Sequence, residues 1–150
     1  MSLTRRDLLS VLEQIIVGGV FTISGWLKLV APHQNFMAVI EQYQAVPHLW
    51  VEPVSLIVPW IEIIFGVFLL LGFLSRVSAG VLSVLLLSFI GLLGRGILLH
   101  IPIQECGCFG SLLKLEPWQA LALDTLLFSL ALILMCFEHS KLSLDAWLSK

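Results

Sequence analysis

Four apolar stretches, each long enough or nearly so to cross a bilayer, dominate this chain at residues 8–30, 54–74, 77–99 and 118–137. A helix of about 20 apolar residues spans the hydrocarbon core. Only 12% of the 150 residues are charged, against about 25% in a typical soluble domain, so too few polar side chains remain to cover a soluble surface. The sequence therefore predicts an all-α membrane protein, a single domain with four transmembrane helices in one bundle.

The connection between the first two stretches carries its own helical pattern. Its apolar residues recur at i, i+3, i+4 and i+7, namely Phe36, Val39, Ile40 and Tyr43. This spacing predicts a short interfacial helix, with Asn35 placed to cap it. Pro59 interrupts the second apolar stretch, and Ser75-Arg76 forms a very short turn that makes the second and third spans antiparallel neighbours. Pro117 suits the first turn of the fourth span.

The distribution of basic residues predicts the orientation. With four spans, both termini lie on one side, and that side carries Arg5, Arg6, Arg76, Lys141 and Lys150. The opposite loops carry only Lys114. By the positive-inside rule, both termini are expected in the cytoplasm of a bacterium, with the protein in the inner membrane and residues 100–117 facing the periplasm. The net charge of −2 argues against a nucleic-acid partner.

Two cysteines one glycine apart, Cys106 and Cys108, lie in that last connection. Gly107 between them can adopt the backbone angles that a small disulfide ring needs. A strained, exposed disulfide is easily reduced, which favours a redox-active pair over a tight turn of small residues. The remaining cysteine, Cys136, lies near the inner end of the fourth span, and we expect it to be a buried, inert thiol.

Each span also carries one ionisable residue in its outer half; these four are Lys28, Glu62, Arg95 and Asp124. Charges inside a membrane are costly, so they face the bundle interior and pair. We therefore expect the four to meet below the cysteine pair, either as a structural clasp or as groups that lower a thiol pKa and carry protons. Glu13 stands alone in the inner half.

Two further sites are weaker candidates. The histidines expected on the outer side are His33, His48 and His100; together with the thiols they could bind zinc or copper, although their spacing matches no compact metal pattern. A quinone pocket could be lined by Trp60, Phe65 and Phe109, although aromatic residues in a membrane bundle usually serve packing. Tryptophans at 50, 60 and 118 are most simply interface anchors.

Taken in order, the motifs resemble those of a known family. They are Lys28, Pro59-Trp60-Ile61-Glu62, Arg95-Gly96, Cys106-Gly107-Cys108-Phe109-Gly110 and Asp124. From about Gly18 to Ala131, the chain resembles the MauE branch of the DoxX-like membrane proteins. The resemblance implies a small four-helix inner-membrane protein associated with methylamine utilisation. It also implies a thioredoxin-like partner and a role in maturing the disulfide-rich small subunit of methylamine dehydrogenase.

Three functions follow as hypotheses. The first is thiol–disulfide exchange by Cys106 and Cys108 with a thioredoxin-like protein or with quinone. The second is a non-enzymatic assembly factor that holds a partner through residues 31–53 and uses its cysteines only structurally. The third is a carrier that binds a metal or a small molecule through the outer thiols and histidines.

Overall fold

The computed structural model describes residues 5–43, 46–99 and 116–137, and these form five α-helices. The helices are α1 (Arg5–Val30), α2 (His33–Gln42), α3 (His48–Leu70), α4 (Ser75–Leu98) and α5 (Pro117–Phe137). All except α2 are long and apolar enough to cross a membrane. The described residues thus confirm an all-helical chain with four candidate spans and a short helix between the first two.

The second span begins earlier than the sequence pattern predicts. It starts at His48 rather than at residue 54, and it continues without a break through Pro53 and Pro59. A proline has no N–H to donate to the carbonyl four residues earlier. Helices in membranes tolerate this loss where neighbouring groups satisfy the freed carbonyl. The prediction that Pro59 interrupts this span was therefore wrong.

Two other helix boundaries also differ from prediction. Asn35 lies inside α2, whose N-cap is Pro32 with no side-chain capping bond. The turn between the second and third spans lies before Ser75, which is the first residue of α4. This turn uses left-handed backbone at Gly72, with φ of 66°, and at Leu74, with φ of 47°. Leucine is rare in that conformation, so hydropathy could not locate the turn there.

The four long helices run alternately up and down. We call the end at which α1 and α4 finish and α3 and α5 begin the upper end. α1 packs antiparallel on α3, and α4 packs antiparallel on α5. Between the two pairs lies an apolar core of nine buried residues: Val17, Phe21, Leu69, Ala79, Leu82, Leu86, Leu127, Ala131 and Leu134. This core fills the middle and lower part of the bundle.

The short helix α2 covers the upper end. Its Phe36 and Ile40 are buried against Val51 in the first turn of α3. Tyr43, directly after α2, is buried with Leu93 of α4 and Ala120 of α5. The segment therefore joins α3, α4 and α5 where they meet the connections, and it closes the bundle above the apolar core.

Candidate functional site

A buried ion pair joins α1 to α3 just below α2. The Nζ atom of Lys28 lies 2.6 Å from Oε1 and 2.8 Å from Oε2 of Glu62. Both side chains are only 1% exposed. Two of the four ionisable residues expected to meet are thus in direct contact. Since an isolated charge costs at least ~2.5–3.5 kcal/mol at the centre of a bilayer, burial inside the bundle is tolerable only because the two are paired.

Ser24 completes the polar contacts of this pair. It lies one helical turn before Lys28, and side chains of a helix lean toward its N-terminus. The ammonium of Lys28 accordingly reaches down and donates a hydrogen bond to Ser24 Oγ at 3.1 Å. Ser24 Oγ in turn lies 3.4 Å from Glu62 Oε2, to which it donates. The three side chains form a closed ring of contacts.

Close approach of the α1 and α3 backbones makes the ion pair possible. A Cβ atom on Gly25 would lie 2.7 Å from the carbonyl oxygen of Pro59, and one on Gly18 would lie 2.8 Å from that of Gly66. Either atom would push the helices apart. Small residues at a helix interface allow such approach in membranes. Gly18 and Gly25 thus let α3 approach α1 closely, whereas Gly19 faces open space.

Two aromatic rings flank the ammonium of Lys28. Its Nζ lies 5.2 Å from the ring centroid of Phe36 on α2 and 5.0 Å from that of Phe89 on α4. Cations within about 6 Å of a ring centroid are attracted by the quadrupole of the ring. Lys28 therefore contacts residues of four helices, counting its own α1.

Asp124 of α5 is the third charged residue of the site. It is buried, and it lines one small cavity together with Ser24, Lys28, Glu62 and Phe89. The cavity has a volume of about 20 Å³, and roughly 10–15 Å³ suffices for one water molecule. We call this arrangement the Lys28 site, consisting of Ser24, Lys28, Glu62, Asp124, Phe36 and Phe89.

The structure does not bring Arg95 into this group. Its side chain is exposed, and it is not among the residues that line the cavity. Arg95 follows the buried Leu93 by two residues, which places it about 200° around the helix axis from the buried face. Three of the four ionisable residues expected to meet, Lys28, Glu62 and Asp124, line one cavity inside the bundle, and Arg95 does not. In the last turn of α4, Arg95 instead lies where a helix dipole favours a cation.

The residues considered for a quinone pocket do not share a face. Trp60 is exposed on α3, whereas Phe65 packs against the apolar core. Five residues separate them, and they point about 140° apart around the helix axis. Phe109 lies outside the described residues. Trp50, Trp60 and Trp118 are all more than half exposed, as residues that anchor a protein at the membrane interface are.

The cysteine pair and one of the histidines lie outside the described residues. Cys106, Cys108 and His100 belong to the connection between Leu99 and Glu116, which joins α4 to α5 at the upper end. His33 is exposed, and His48 is paired with Glu41 at 3.2 Å. Within the described ranges, no three histidine, cysteine or acidic residues come together as a metal site would require.

Cys136 differs from its prediction. It was expected to be buried, and it is exposed on the surface of α5. Its neighbour on the core side is Leu134, only 2% exposed, and two residues further along the helix again means the opposite face. On a helix that is apolar all round, hydropathy alone could not assign the face.

Sequence reasoning missed the aromatic part of the Lys28 site. Phe36 was recognised only as an apolar residue of α2, and Ser24 was not assigned to the site. The spacing of Ser24 and Lys28, four residues apart on one helix, is the available signal, since such residues contact each other. Phe89 lies in an apolar stretch with no local pattern, so nothing in the sequence distinguishes it.

One of three comparisons with known proteins finds a match. The family model described as "Methylamine utilisation protein MauE" matches residues 6–137. This range includes all four candidate spans and every residue of the Lys28 site. No curated protein and no solved structure matches the chain. Since the family model covers well over half of its length, the chain is a multi-pass membrane protein that belongs to the MauE family.

Proposed function

We propose that this protein carries out thiol–disulfide exchange through Cys106 and Cys108 at the periplasmic face of a bacterial inner membrane. In this proposal both termini are cytoplasmic and α2 lies at the outer interface. The observation that carries it is the Lys28 site, which lies at the end of the bundle where the connection with both cysteines joins α4 to α5. Ionisable residues retained inside a membrane mark functional sites by default.

The exchange is a balanced two-electron step. A thiolate of the partner attacks one sulfur of the Cys106–Cys108 disulfide, which breaks that bond and forms a mixed disulfide. The second thiol of the partner then attacks the mixed disulfide, so that the partner leaves as a disulfide and the pair remains as a dithiol. The reverse reaction passes through the same intermediate. A thioredoxin-like protein, or a quinone that is reduced to quinol, would accept the two electrons and two protons.

The Lys28 site has the chemistry to assist these proton movements. Glu62 and Asp124 are carboxylates beside a cavity that has room for one water molecule. A carboxylate within reach of a thiol through water can accept or return a proton as the thiolate forms. Lys28 is the cation that balances the carboxylate of Glu62.

Membership of the MauE family supports an association with methylamine utilisation. In that setting the substrate would be a periplasmic protein whose disulfides must be formed or rearranged. The resemblance implies the small subunit of methylamine dehydrogenase, with a thioredoxin-like protein as the electron-exchange partner. We extend both to this chain as part of the proposal.

A second candidate function is that of a non-enzymatic assembly factor. It is favoured by the completeness of the contacts around Lys28, whose ammonium already meets Glu62, Ser24 and two rings. Such an arrangement also suits a structural clasp that fixes helix register.

Trapping a mixed disulfide tests the proposal. Cys106→Ser and Cys108→Ser variants are produced in cells, and covalent complexes are separated without reductant. In the reverse direction the remaining thiolate attacks a disulfide of the partner, so one of the two variants should accumulate a covalent complex that reductant releases. Cys136→Ser is the matched control and should trap nothing. The contrary result is that neither variant forms a complex while both still support maturation of the periplasmic disulfide-containing protein. The assembly-factor hypothesis would then replace this one.

A further inference from the structure

The contacts of the Lys28 ammonium are those of a bound ligand. A primary ammonium has three N–H donors, and here the acceptors are the two oxygens of Glu62 and the hydroxyl of Ser24. The rings of Phe36 and Phe89 lie at 5.2 and 5.0 Å from the nitrogen. Carboxylate oxygens and aromatic faces around one cation are the elements that proteins use to recognise ammonium groups.

This geometry selects a primary ammonium over other cations. A quaternary ammonium has no N–H to donate to Glu62 or Ser24. A guanidinium is planar and wider, and it presents its donors as a fork rather than as a compact point charge. Both would also need more room than the cavity of about 20 Å³ beside the nitrogen provides.

The Lys28 ammonium also helps to hold α2 in place. Phe36 is the α2 residue whose ring rests on the ammonium, and it is only 8% exposed. Apolar contacts of Ile40 with Val51 and of Tyr43 with Leu93 also hold this segment. Without the cation, the ring of Phe36 would lose the charge that attracts it, and Glu62 would lose its partner.

We propose that the chamber formed by Ser24, Glu62, Phe36 and Phe89 is a binding site for a primary ammonium group. Lys28 is its tethered ligand, and occupancy by the ammonium fastens α2 over the upper end of the bundle. This inference does not depend on the thiol chemistry proposed above, since neither cysteine of the pair takes part in it.

The test removes the Lys28 ammonium by mutation and supplies a primary ammonium from solution. Lys28→Ala removes the propylammonium part of the side chain, so n-propylammonium chloride is the matching probe. The readouts are the thermal unfolding midpoint in detergent and the amide hydrogen exchange of α2. The variant should unfold at a lower temperature than the wild type and exchange its α2 amides faster. The probe should raise the midpoint in a concentration-dependent way and slow the exchange of α2.

Specificity controls use the same variant at equal ionic strength. Sodium, guanidinium and tetramethylammonium chlorides should restore neither the midpoint nor the protection of α2. None of these three salts, nor n-propylammonium chloride, should stabilise the wild-type protein. The Lys28→Ala, Glu62→Gln double variant lacks the charged acceptor and should not respond to n-propylammonium. Restoration of Lys28→Ala by sodium to the same extent, or no restoration by n-propylammonium, would overturn the proposal.

Lys28→Arg keeps the test decisive if Lys28→Ala does not fold. A guanidinium preserves the charge opposite Glu62, but it is planar and wider than an ammonium, so we expect it to displace the ring of Phe36. The variant should therefore fold and show faster amide exchange in α2 than the wild type, with unchanged exchange in the lower halves of α4 and α5. Wild-type protection of α2 in Lys28→Arg would contradict an ammonium-specific site.

Discussion

The ammonium of Lys28 and the carboxylate of Glu62 lie 2.6 Å apart, at a level of the bundle where each side chain is only 1% exposed. They belong to α1 and α3, two helices whose backbones approach closely at Gly25 and Pro59. The close approach and the ion pair depend on each other: glycine brings the helices together, and the pair makes the polar groups tolerable inside a membrane.

The first prediction concerns this pair. Lys28→Met leaves Glu62 without its cation, which should lower the free energy of unfolding by roughly 3–5 kcal/mol. Removing both charges in Lys28→Met, Glu62→Gln should cost less than the sum of the two single variants. Unfolding in detergent measures all three. The exposed pair of His48 and Glu41 is the control, and His48→Ala should cost less than about 1 kcal/mol.

The second prediction compares two glycines of α1, one packed against α3 and one beside open space. Gly25→Ala places a methyl group 2.7 Å from the carbonyl oxygen of Pro59 and 2.8 Å from Cγ1 of Ile63. Overpacking of this kind should cost about 1–3 kcal/mol. Gly19→Ala is the matched control on the same helix, because its Cβ meets no atom within 4 Å. It should be neutral or slightly stabilising, since alanine favours helix. Equal effects of the two changes would argue against the packing of α1 on α3.

The third prediction contrasts Arg95 with Asp124. The sequence pattern alone predicts similar effects, but the structure leaves Arg95 exposed and buries Asp124 in the Lys28 site. Arg95→Ala should change the free energy of unfolding by no more than about 0.5 kcal/mol. Asp124→Ala should cost about 1–3 kcal/mol, because it removes a buried polar group from its contacts. Strong destabilisation by Arg95→Ala would mean that this residue has a partner essential to the fold.

The fourth prediction concerns orientation. On reduced, intact spheroplasts, a membrane-impermeant thiol reagent should label Cys106 or Cys108. Cys136 is exposed near the lower end of α5, which the proposed orientation places at the cytoplasmic face. It should therefore be labelled only after the membrane is opened. Labelling of Cys136 in intact spheroplasts, with the pair unreactive, would reverse the orientation.

Hydropathy and length were sufficient to predict the helices themselves. Each of the four apolar stretches forms a helix, and the spacing of Phe36 and Ile40 predicts the buried face of α2. The boundaries were less accurate wherever proline or left-handed backbone decides them, as at His48 and Leu74. Local propensity treats proline as a stop signal, whereas a packed membrane helix accommodates it.

The Lys28 site was predictable in part from the sequence. Charges inside a membrane are few and costly, so Lys28, Glu62 and Asp124 were identifiable and their convergence could be expected. Which face of α4 carries Arg95 was not predictable, because α4 is apolar nearly all round and gives no periodic signal. Phe89 was missed because an aromatic residue in such a helix is indistinguishable from ordinary packing.

The most direct test of thiol–disulfide exchange is a redox titration of Cys106 and Cys108 in the purified, detergent-solubilised protein. The protein is equilibrated with thiol buffers of graded potential, and the pair is read out by alkylation and mass spectrometry with Cys136→Ser as the background. Exchange predicts reversible interconversion between dithiol and disulfide, with a potential above the range below about −300 mV that is usual for structural disulfides. A pair that never oxidises, or a disulfide that resists strong reductants, would contradict the proposed function.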